Sequence, residues 1–177
     1  MKFWSQAAQP DPEHPYLARK KIKAHGIRQL NEKLVIPLRD ADGKLWSVEF
    51  ISPDGAKRFL SGGRKRGCYF GMGCVAPERG EFCIAEGFAT GASIHEATGK
   101  AVAVAFDAGN LEPVARVLRA KFPGAVITIC ADNDTSTPGN PGLTKATLAA
   151  RAVGGYVAIP PHGYNDFNDA AVAEVVE

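Results

Sequence analysis

Acidic side chains follow three apolar segments of this sequence. They are Glu86 after "FCIA", Asp132 and Asp134 after "AVITIC", and Asp166 and Asp169 after "YVAIPP". The apolar segments are typical of buried strands, and the carboxyl ends of parallel strands meet at one edge of a sheet. Carboxylates brought together there repel each other unless cations lie between them. The sequence therefore predicts a divalent-metal site at one sheet edge.

Mg²⁺ or Mn²⁺ is the cation that such a site suits. Magnesium prefers hard oxygen ligands, and it is usually held by a few carboxylates together with substrate phosphates. Two such ions about 4 Å apart stabilise the attacking and leaving oxygens of a phosphoryl transfer. Turn formation or helix capping explains any one acidic cluster, so it is the repetition at three strand ends that favours metal binding. Glu86 is either a metal ligand or a group that assists proton transfer.

Basic residues are concentrated in the first part of the chain. Residues 1–80 carry fifteen Lys and Arg against eight Asp and Glu, whereas residues 81–177 carry six against eleven. This asymmetry indicates a polyanion bound by the first part and metal ions bound by the second. The cations that we expect to contact nucleic acid or a nucleotide are Lys57, Arg58, Arg64, Lys65 and Arg66. A solvated basic loop is the alternative interpretation of this run.

The sequence predicts two structural units, residues 1–80 and residues 81–177. The first begins with a polar, proline-bearing arm and a basic helix that ends near Gly26. Turns at Asp42-Gly43 and at Pro53-Asp54-Gly55 then separate "KLVIPLRD", "KLWSVEFI" and "AKRFL". Alternating apolar and polar residues between such turns predict a small antiparallel sheet.

Strands and helices alternate from residue 81 onwards. The predicted strands are "EFCIAE", "AVAVAF", "AVITICAD" and "YVAIPP", and helices follow each of them. Asn110 is the predicted N-cap of the second of these helices, and Asn168 is the predicted N-cap of the last. This order predicts an α/β fold, with a parallel sheet covered by helices on both faces and a small antiparallel β-rich subdomain before it.

Three motifs resemble those of the Toprim domain over residues 81–177. They are "CIAEGFATGASI", "ICADND" and "NDFND", and they stand in the order that the family shows. The resemblance implies that Glu86, Asp132 and Asp134 are catalytic, and that these three residues with Asp166 and Asp169 hold the metal. The family usually has a glycine shortly after its Asp-x-Asp. Here "TSTPGNPG" follows, so Gly139 or Gly142 takes that place later in the loop.

The segment before these motifs resembles that of bacterial-type primases. "AKRFLSGGRKRGCYF" is similar to the basic, glycine-bearing stretch that precedes Toprim in those enzymes. This resemblance implies the catalytic core of a DnaG-type primase from a plasmid or phage replication system. Such an enzyme uses nucleoside triphosphates to make short RNA primers on a single-stranded DNA template. It also implies a zinc-binding module and a helicase, in the same or another chain.

Two other functions remain open from the sequence. A Toprim nuclease would use the same acids and metal to cut DNA without nucleoside triphosphates. A non-catalytic binding module would keep its affinity for nucleic acid without metal. No apolar run approaches the roughly 20 residues of a membrane span, so we expect a cytoplasmic protein with no membrane contact.

Overall fold

An antiparallel sheet forms the first part of the fold. The computed structural model describes residues 2–74 and 80–174. Its first elements are the helices α1 (Lys2–Gln6) and α2 (Pro15–Lys20) and the strands β1 (Arg28–Leu30), β2 (Lys33–Arg39), β3 (Leu45–Ile51) and β4 (Lys57–Phe59). The four strands lie in the order β1-β2-β3-β4, each antiparallel to its neighbour. The predicted small antiparallel sheet is therefore confirmed.

Two predictions for the start of the chain are wrong. The arm is not loose, because α1 occupies its beginning and Ala8 pairs with Gln29 beside β1. The basic helix ends at Lys20 and does not extend to Gly26. Lys21 adopts the left-handed conformation, with a φ of 50°, and its N–H bonds to the carbonyl of Ala18. A left-handed residue with this hydrogen bond ends a helix.

A five-stranded sheet forms the second part of the fold. Its strands are β5 (Phe70–Met72), β6 (Glu81–Ala85), β7 (Ala101–Val104), β8 (Val126–Cys130) and β9 (Tyr156–Ala158), in the order β5-β7-β6-β8-β9. The helices are α3 (Phe88–Thr98), α4 (Ala108–Lys121), α5 (Pro141–Val153) and α6 (Phe167–Glu174). Strands β6 to β9 are parallel, as predicted, whereas the edge strand β5 is antiparallel to β7.

Alternate residues of the parallel strands face two separate hydrophobic cores. On β6, Phe82 and Ile84 pack with α4 and α5, whereas Cys83 and Ala85 pack with α3 and with the inner face of the antiparallel sheet. This alternation follows from the strand period of two. The predicted parallel sheet with helices on both faces is confirmed, and its second face also carries the first sheet.

The strand β5 connects the two parts of the chain. It comes from the first eighty residues but hydrogen-bonds within the second sheet, as the edge strand beside β7. One core cluster also contains buried residues of both sheets, since Leu34 and Leu38 of β2 belong to the same cluster as Val102 and Val104 of β7. The division at residue 80 stays a prediction, because the two sheets share this core.

Two predicted helix caps are wrong. The carboxylate of Asp107 caps α4 by accepting a hydrogen bond from the N–H of Asn110 at 3.0 Å. Asp166 accepts hydrogen bonds from the N–H groups of Asn168 and Asp169 at the start of α6. Asn110 and Asn168 are instead buried, and their side chains make tertiary hydrogen bonds. A carboxylate earlier in each segment therefore takes the capping position.

The side chain of Asn110 fixes the loop that leads from β4 to β5. Its amide nitrogen donates to the carbonyls of Lys65, Cys68 and Ala105, and its amide oxygen accepts from the N–H of Gly67. The loop carries Arg64, Lys65 and Arg66 of the basic run, and Asn110 holds its backbone against the start of α4.

Replacing Asn110 with Ala should lower the free energy of unfolding by about 2–4 kcal/mol, because several buried backbone groups lose their partner. Urea unfolding followed by circular dichroism measures this change. Asn165→Ala is the control, because Asn165 is exposed and the loss of its side chain should change stability by less than about 0.5 kcal/mol. Equal stabilities of the two variants would contradict the role given to Asn110.

Candidate active site

Glu86 and Asp132 leave neighbouring parallel strands at the same sheet edge. Glu86 directly follows β6 and Asp132 follows β8, and Ala85 is the register partner of Cys130. In each carboxylate one oxygen, Glu86 Oε1 and Asp132 Oδ1, is buried and has no hydrogen-bond partner. Buried polar atoms are nearly always satisfied, so these two acceptors suit a bound cation or hydrogen-bond donor.

Both carboxyl groups have raised pKa values. Burial, with the neighbouring charges of Asp132 and Asp107, raises the pKa of Glu86 to about 7. Burial and the charge of Asp166 raise the pKa of Asp132 to about 6. Ionising both groups near neutral pH is therefore costly in the absence of a cation, and a bound cation would remove this cost.

A hydrogen bond between two loops brings Asp166 towards Asp132. The N–H of Asn133, after β8, donates to the carbonyl of Asn165, after β9, at 2.7 Å. Asp166 also caps α6 through its Oδ1, which accepts from Asn168 N–H at 2.7 Å. Asp169 lies farther along that helix, where its carboxylate forms an ion pair with Lys20 at 3.4 Å.

Asp134 is held differently from Asp132. Its carboxylate accepts hydrogen bonds from the hydroxyl groups of Ser136 and Thr137. These hydroxyls lower the pKa of Asp134, and its charge is the last of those that raise the pKa of Asp132. The strongest acidic neighbour of Asp132 is thus Asp166, which lies on another loop.

The donor set fits a cation that substrate oxygens help to hold. Among residues 2–74 and 80–174, no three His, Cys, Asp or Glu side chains lie close enough together to hold a metal ion. Glu86 and Asp132 nevertheless offer two buried oxygens that lack partners. Magnesium commonly takes one or two carboxylates and fills its other positions with water and phosphate oxygens. The five predicted acids therefore do not form one compact cluster, but two of them suit such an ion.

Gly142, in the first turn of α5, packs directly against Asp132. A Cβ atom at Gly142 would lie 2.6 Å from the carbonyl oxygen of Asp132 and 3.2 Å from its Cβ. A side chain there would force this part of the backbone to move. Gly142, rather than Gly139, is therefore the glycine that lies against the Asp-x-Asp segment.

Replacing Gly142 with Ala should displace Asp132, weaken metal binding at least tenfold and lower the free energy of unfolding by about 1–3 kcal/mol. Isothermal titration with Mg²⁺ and urea unfolding measure the two effects. Gly71→Ala is the control, because a Cβ there would meet only Tyr69, at an ordinary 3.8 Å. Wild-type metal affinity in the Gly142 variant would show that this contact does not position Asp132.

Two of the five predicted cations lie beside the acids. The Nζ of Lys57 is 3.5 Å from the position that a Cβ would take on Gly87, the residue after Glu86. Its charge opposes the rise in the pKa values of Glu86 and Asp132. Lys65 forms an ion pair with Asp107 at the start of α4. These two residues bring positive charge from the first part of the chain to the sheet edge that carries Glu86 and Asp132, which we call the acidic edge.

The other three predicted cations lie elsewhere. Arg58 follows Lys57 on β4 and therefore points to the opposite face of the antiparallel sheet. The guanidinium of Arg64 stacks on the ring of Trp46, with 4.9 Å between its carbon and the ring centre. Arg66 lines a groove between α4 and α5. The structure therefore spreads the basic run over several surfaces.

Glu49 and Tyr16 are buried beside the site and were not expected from the sequence. Glu49, on β3, is 2% exposed, and burial raises its pKa to about 7. Burial, with the charges of Glu49 and Asp166, raises the pKa of Tyr16 above its usual range. Glu49 occupies a polar position of the alternating pattern in β3. Both faces of this strand are covered in the structure, so the sequence pattern did not indicate that Glu49 is buried.

Phe106 is a further residue that the sequence did not reveal. Its φ is 75°, which is an unusual backbone conformation for an aromatic residue. Its N–H donates to the carbonyl of Glu86 at 2.7 Å, and its ring contacts Phe59 edge to face at 6.1 Å. Backbone strain of this kind is found most often at functional sites. Phe59 itself is 38% exposed.

Comparison with known proteins identifies the second part of the chain. The Toprim domain family matches residues 81–176, which include all five predicted acids. The chain belongs to the Toprim family. The Toprim unit begins with β6, so the strand β5 and the antiparallel sheet lie before the matched region.

The similarity to known proteins extends beyond the Toprim region. The chain is 44% identical over 156 residues to the DNA primase TraC of Escherichia coli, which covers 82% of this chain but only 15% of that relative. The primase fragment of the bacteriophage T7 primase-helicase has a TM-score of 0.63 at 13% identity, covering 97% of this chain and 73% of that one. A DnaG primase catalytic domain bound to single-stranded DNA has a TM-score of 0.54 at 13% identity, covering 93% and 57%.

Proposed function

We propose that this chain is the catalytic core of a DNA primase, and that it joins nucleoside triphosphates into a short RNA primer on single-stranded DNA. The observation that carries the proposal is the pair of buried carboxylate oxygens without partners, on Glu86 and Asp132, beside the ammonium group of Lys57. The likeness to the TraC primase supports it, because at 156 residues that likeness extends beyond the Toprim unit.

The acids and the cations have separate tasks in this proposal. Glu86 and Asp132 hold Mg²⁺ or Mn²⁺, with Asp166 beside them. A bound divalent ion would supply charge stabilisation to the phosphoryl oxygens in the transition state. Lys57 and Lys65 bind and orient the triphosphate of the incoming nucleotide, since their ammonium groups lie at the same edge as the acids. Asp134 holds the loop after β8 through Ser136 and Thr137, whereas Asp169 pairs with Lys20 from α6, and both act on the site through charge.

Lys57 favours a primase over a nuclease. The residue lies outside the Toprim unit, on β4 of the antiparallel sheet, yet its ammonium group reaches the residue after Glu86. A nuclease needs the acids and the metal to cut one phosphodiester. A polymerase also needs fixed positive charge for a triphosphate, and the antiparallel sheet provides that charge here.

The partners follow from the same proposal. The template is single-stranded DNA, and we expect a zinc-binding module and a helicase in the same or another chain. The T7 structure comes from a primase-helicase protein, which is in line with the second of these. Within residues 2–74 and 80–174, no helix has the length and apolar character that a bilayer span needs. A cytoplasmic location stays a prediction.

A gel with two labels tests the proposed function. End-labelled single-stranded DNA is incubated with the wild-type chain and Mg²⁺ or Mn²⁺, with and without nucleoside triphosphates that carry a second label. We expect new short products with the second label, formed only when metal, triphosphates and DNA are all present. Shortened DNA in the absence of triphosphates would establish a nuclease instead. DNA binding with neither change, also after addition of a zinc-binding module, would indicate a binding module.

A further inference from the structure

A basic groove runs between α4 and α5, outside the acidic edge. It encloses about 170 Å³ and is lined by Arg66, Glu112, Arg116, Lys145 and Leu148, together with the first residues of α4. Three of these side chains are positively charged and one is negative. The groove therefore combines the basic loop before β5 with two helices of the Toprim unit.

Two of the three cations in the groove are open to an anion. Arg116 forms an ion pair with Glu112 at 2.8 Å, four residues earlier on α4. Within the described parts of the chain, Arg66 and Lys145 make no ion pair with an acidic side chain. Both are exposed at the surface. The net charge of the groove is thus positive, and a negative ligand would meet two cations that have no competing carboxylate.

The groove begins near the acidic edge and leads away from it. Arg66 directly follows Lys65, whose ammonium group is paired with Asp107, the N-cap of α4. From Ala108 to Arg116 the groove follows α4 for about 12 Å, at roughly 1.5 Å per residue. A triphosphate bound at Glu86 and Asp132 would not extend along this length. The sugar-phosphate backbone of a nucleic-acid strand would extend along it.

We infer that this groove binds the sugar-phosphate backbone of single-stranded DNA where the template leaves the acidic site. The inference rests on the proposed function, and it names the path of the substrate strand. Lys145 and Arg66 would contact successive phosphates, and Leu148, which is 47% exposed, would lie against a sugar or a base. Charge along the strand, and not base identity, would determine the binding.

Fluorescence anisotropy with labelled oligo(dT), without triphosphates or divalent metal, tests the inference. Lys145→Ala and Arg66→Ala should each weaken binding roughly fivefold, and each should lower the slope of log affinity against log salt by about 0.7. Arg151→Ala is the matched control, because Arg151 is an exposed cation at the other end of α5 and does not line the groove. It should bind as the wild type does.

Glu112→Gln provides a test in the opposite direction. Removing this carboxylate releases Arg116 and increases the positive charge of the groove, so DNA binding should become roughly threefold tighter. A groove with a merely structural role would not bind DNA more tightly after this change. Circular dichroism compares the fold of each variant with that of the wild type, so that loss of binding through unfolding is not mistaken for loss of a contact with DNA.

The outcomes separate the inference from the proposed function. If the wild-type chain binds DNA and the groove variants equal Arg151→Ala, the inference fails while the proposed function stands. If the groove variants lose affinity for ATP but keep their affinity for DNA, the groove holds a triphosphate and the inference again fails. A wild-type chain with no affinity for single-stranded DNA would overturn both.

Discussion

Asp132→Asn should lose primer synthesis by about a thousandfold or more, yet the metal-free variant should be more stable than the wild type at pH 8. The loss of activity follows because an amide is a poor ligand for a hard divalent cation and cannot replace the charge of the carboxylate. The gain in stability follows because Asp132 is ionised in a buried place where one of its oxygens has no partner. Both effects therefore come from the negative charge of the buried Asp132 carboxylate.

The pH dependence of this gain has a definite sign. The pKa of Asp132 is raised from 3.8 to about 6 in the folded chain, so the folded state holds the proton more tightly than the unfolded state. The resulting penalty is absent below about pH 4, grows as the pH rises towards 6 and is complete above it. After allowance for partial exposure, the variant should be about 1–2 kcal/mol more stable at pH 8 and equal at pH 4.

Urea unfolding at the two pH values and the two-label gel together check this prediction. Asp134→Asn is the matched control, since the carboxylate of Asp134 is satisfied by the Ser136 and Thr137 hydroxyls and its pKa is lowered. The Asp134 variant should lose stability at pH 8 and not gain it. An Asp132 variant that keeps its activity would refute the assignment of Asp132 as a metal ligand.

Lys57→Ala should reduce primer synthesis about a hundredfold at subsaturating nucleoside triphosphate, with the larger part of the change in KM. Lys57 places its positive charge close to Glu86, and loss of one charge-assisted hydrogen bond to a bound phosphate costs about 1.5–3 kcal/mol, which is up to about a hundredfold in affinity. The same change should raise the pKa values of Glu86 and Asp132 further, because Lys57 lowers both.

Arg58→Ala provides the control for Lys57. The two residues are adjacent on β4, carry the same charge and point to opposite faces of the sheet. Steady-state kinetics with varied triphosphate should show a large effect for Lys57 and little effect for Arg58. Equal effects would mean that the charge of the strand matters and the position of Lys57 does not.

The sequence predicted the parts of the fold that local patterns determine. Alternation and Asp-Gly turns located the antiparallel sheet, and the repeated strand and helix segments located the parallel one. The strand β5 was missed because "FGM" is short and pairs with β7, about thirty residues later in the chain. The caps were misplaced because Asp107 and Asp166 precede the asparagines, which tertiary contacts bury.

The candidate site was predictable in its residue types but not in its arrangement. The positions of Glu86 and Asp132 directly after predicted strands placed both residues correctly at one edge of the sheet. The approach of Asp166 to Asp132 depends on a hydrogen bond between the backbones of two loops, and the burial of Glu49 depends on how the two sheets pack. Sequence spacing contains neither contact. The same holds for Lys57, whose approach to Gly87 brings together residues from different sheets.

Calorimetric titration of the chain with Mg²⁺, in the absence of substrates, tests most directly where the cation lies. We expect the wild type to bind Mg²⁺, Asp132→Asn and Glu86→Gln each to abolish measurable binding, and Asp134→Asn to keep most of it. Loss of binding in the Asp134 variant, together with wild-type affinity in the Glu86 variant, would refute the assignment of Glu86 and Asp132 as the metal ligands and would place the cation between Asp132 and Asp134.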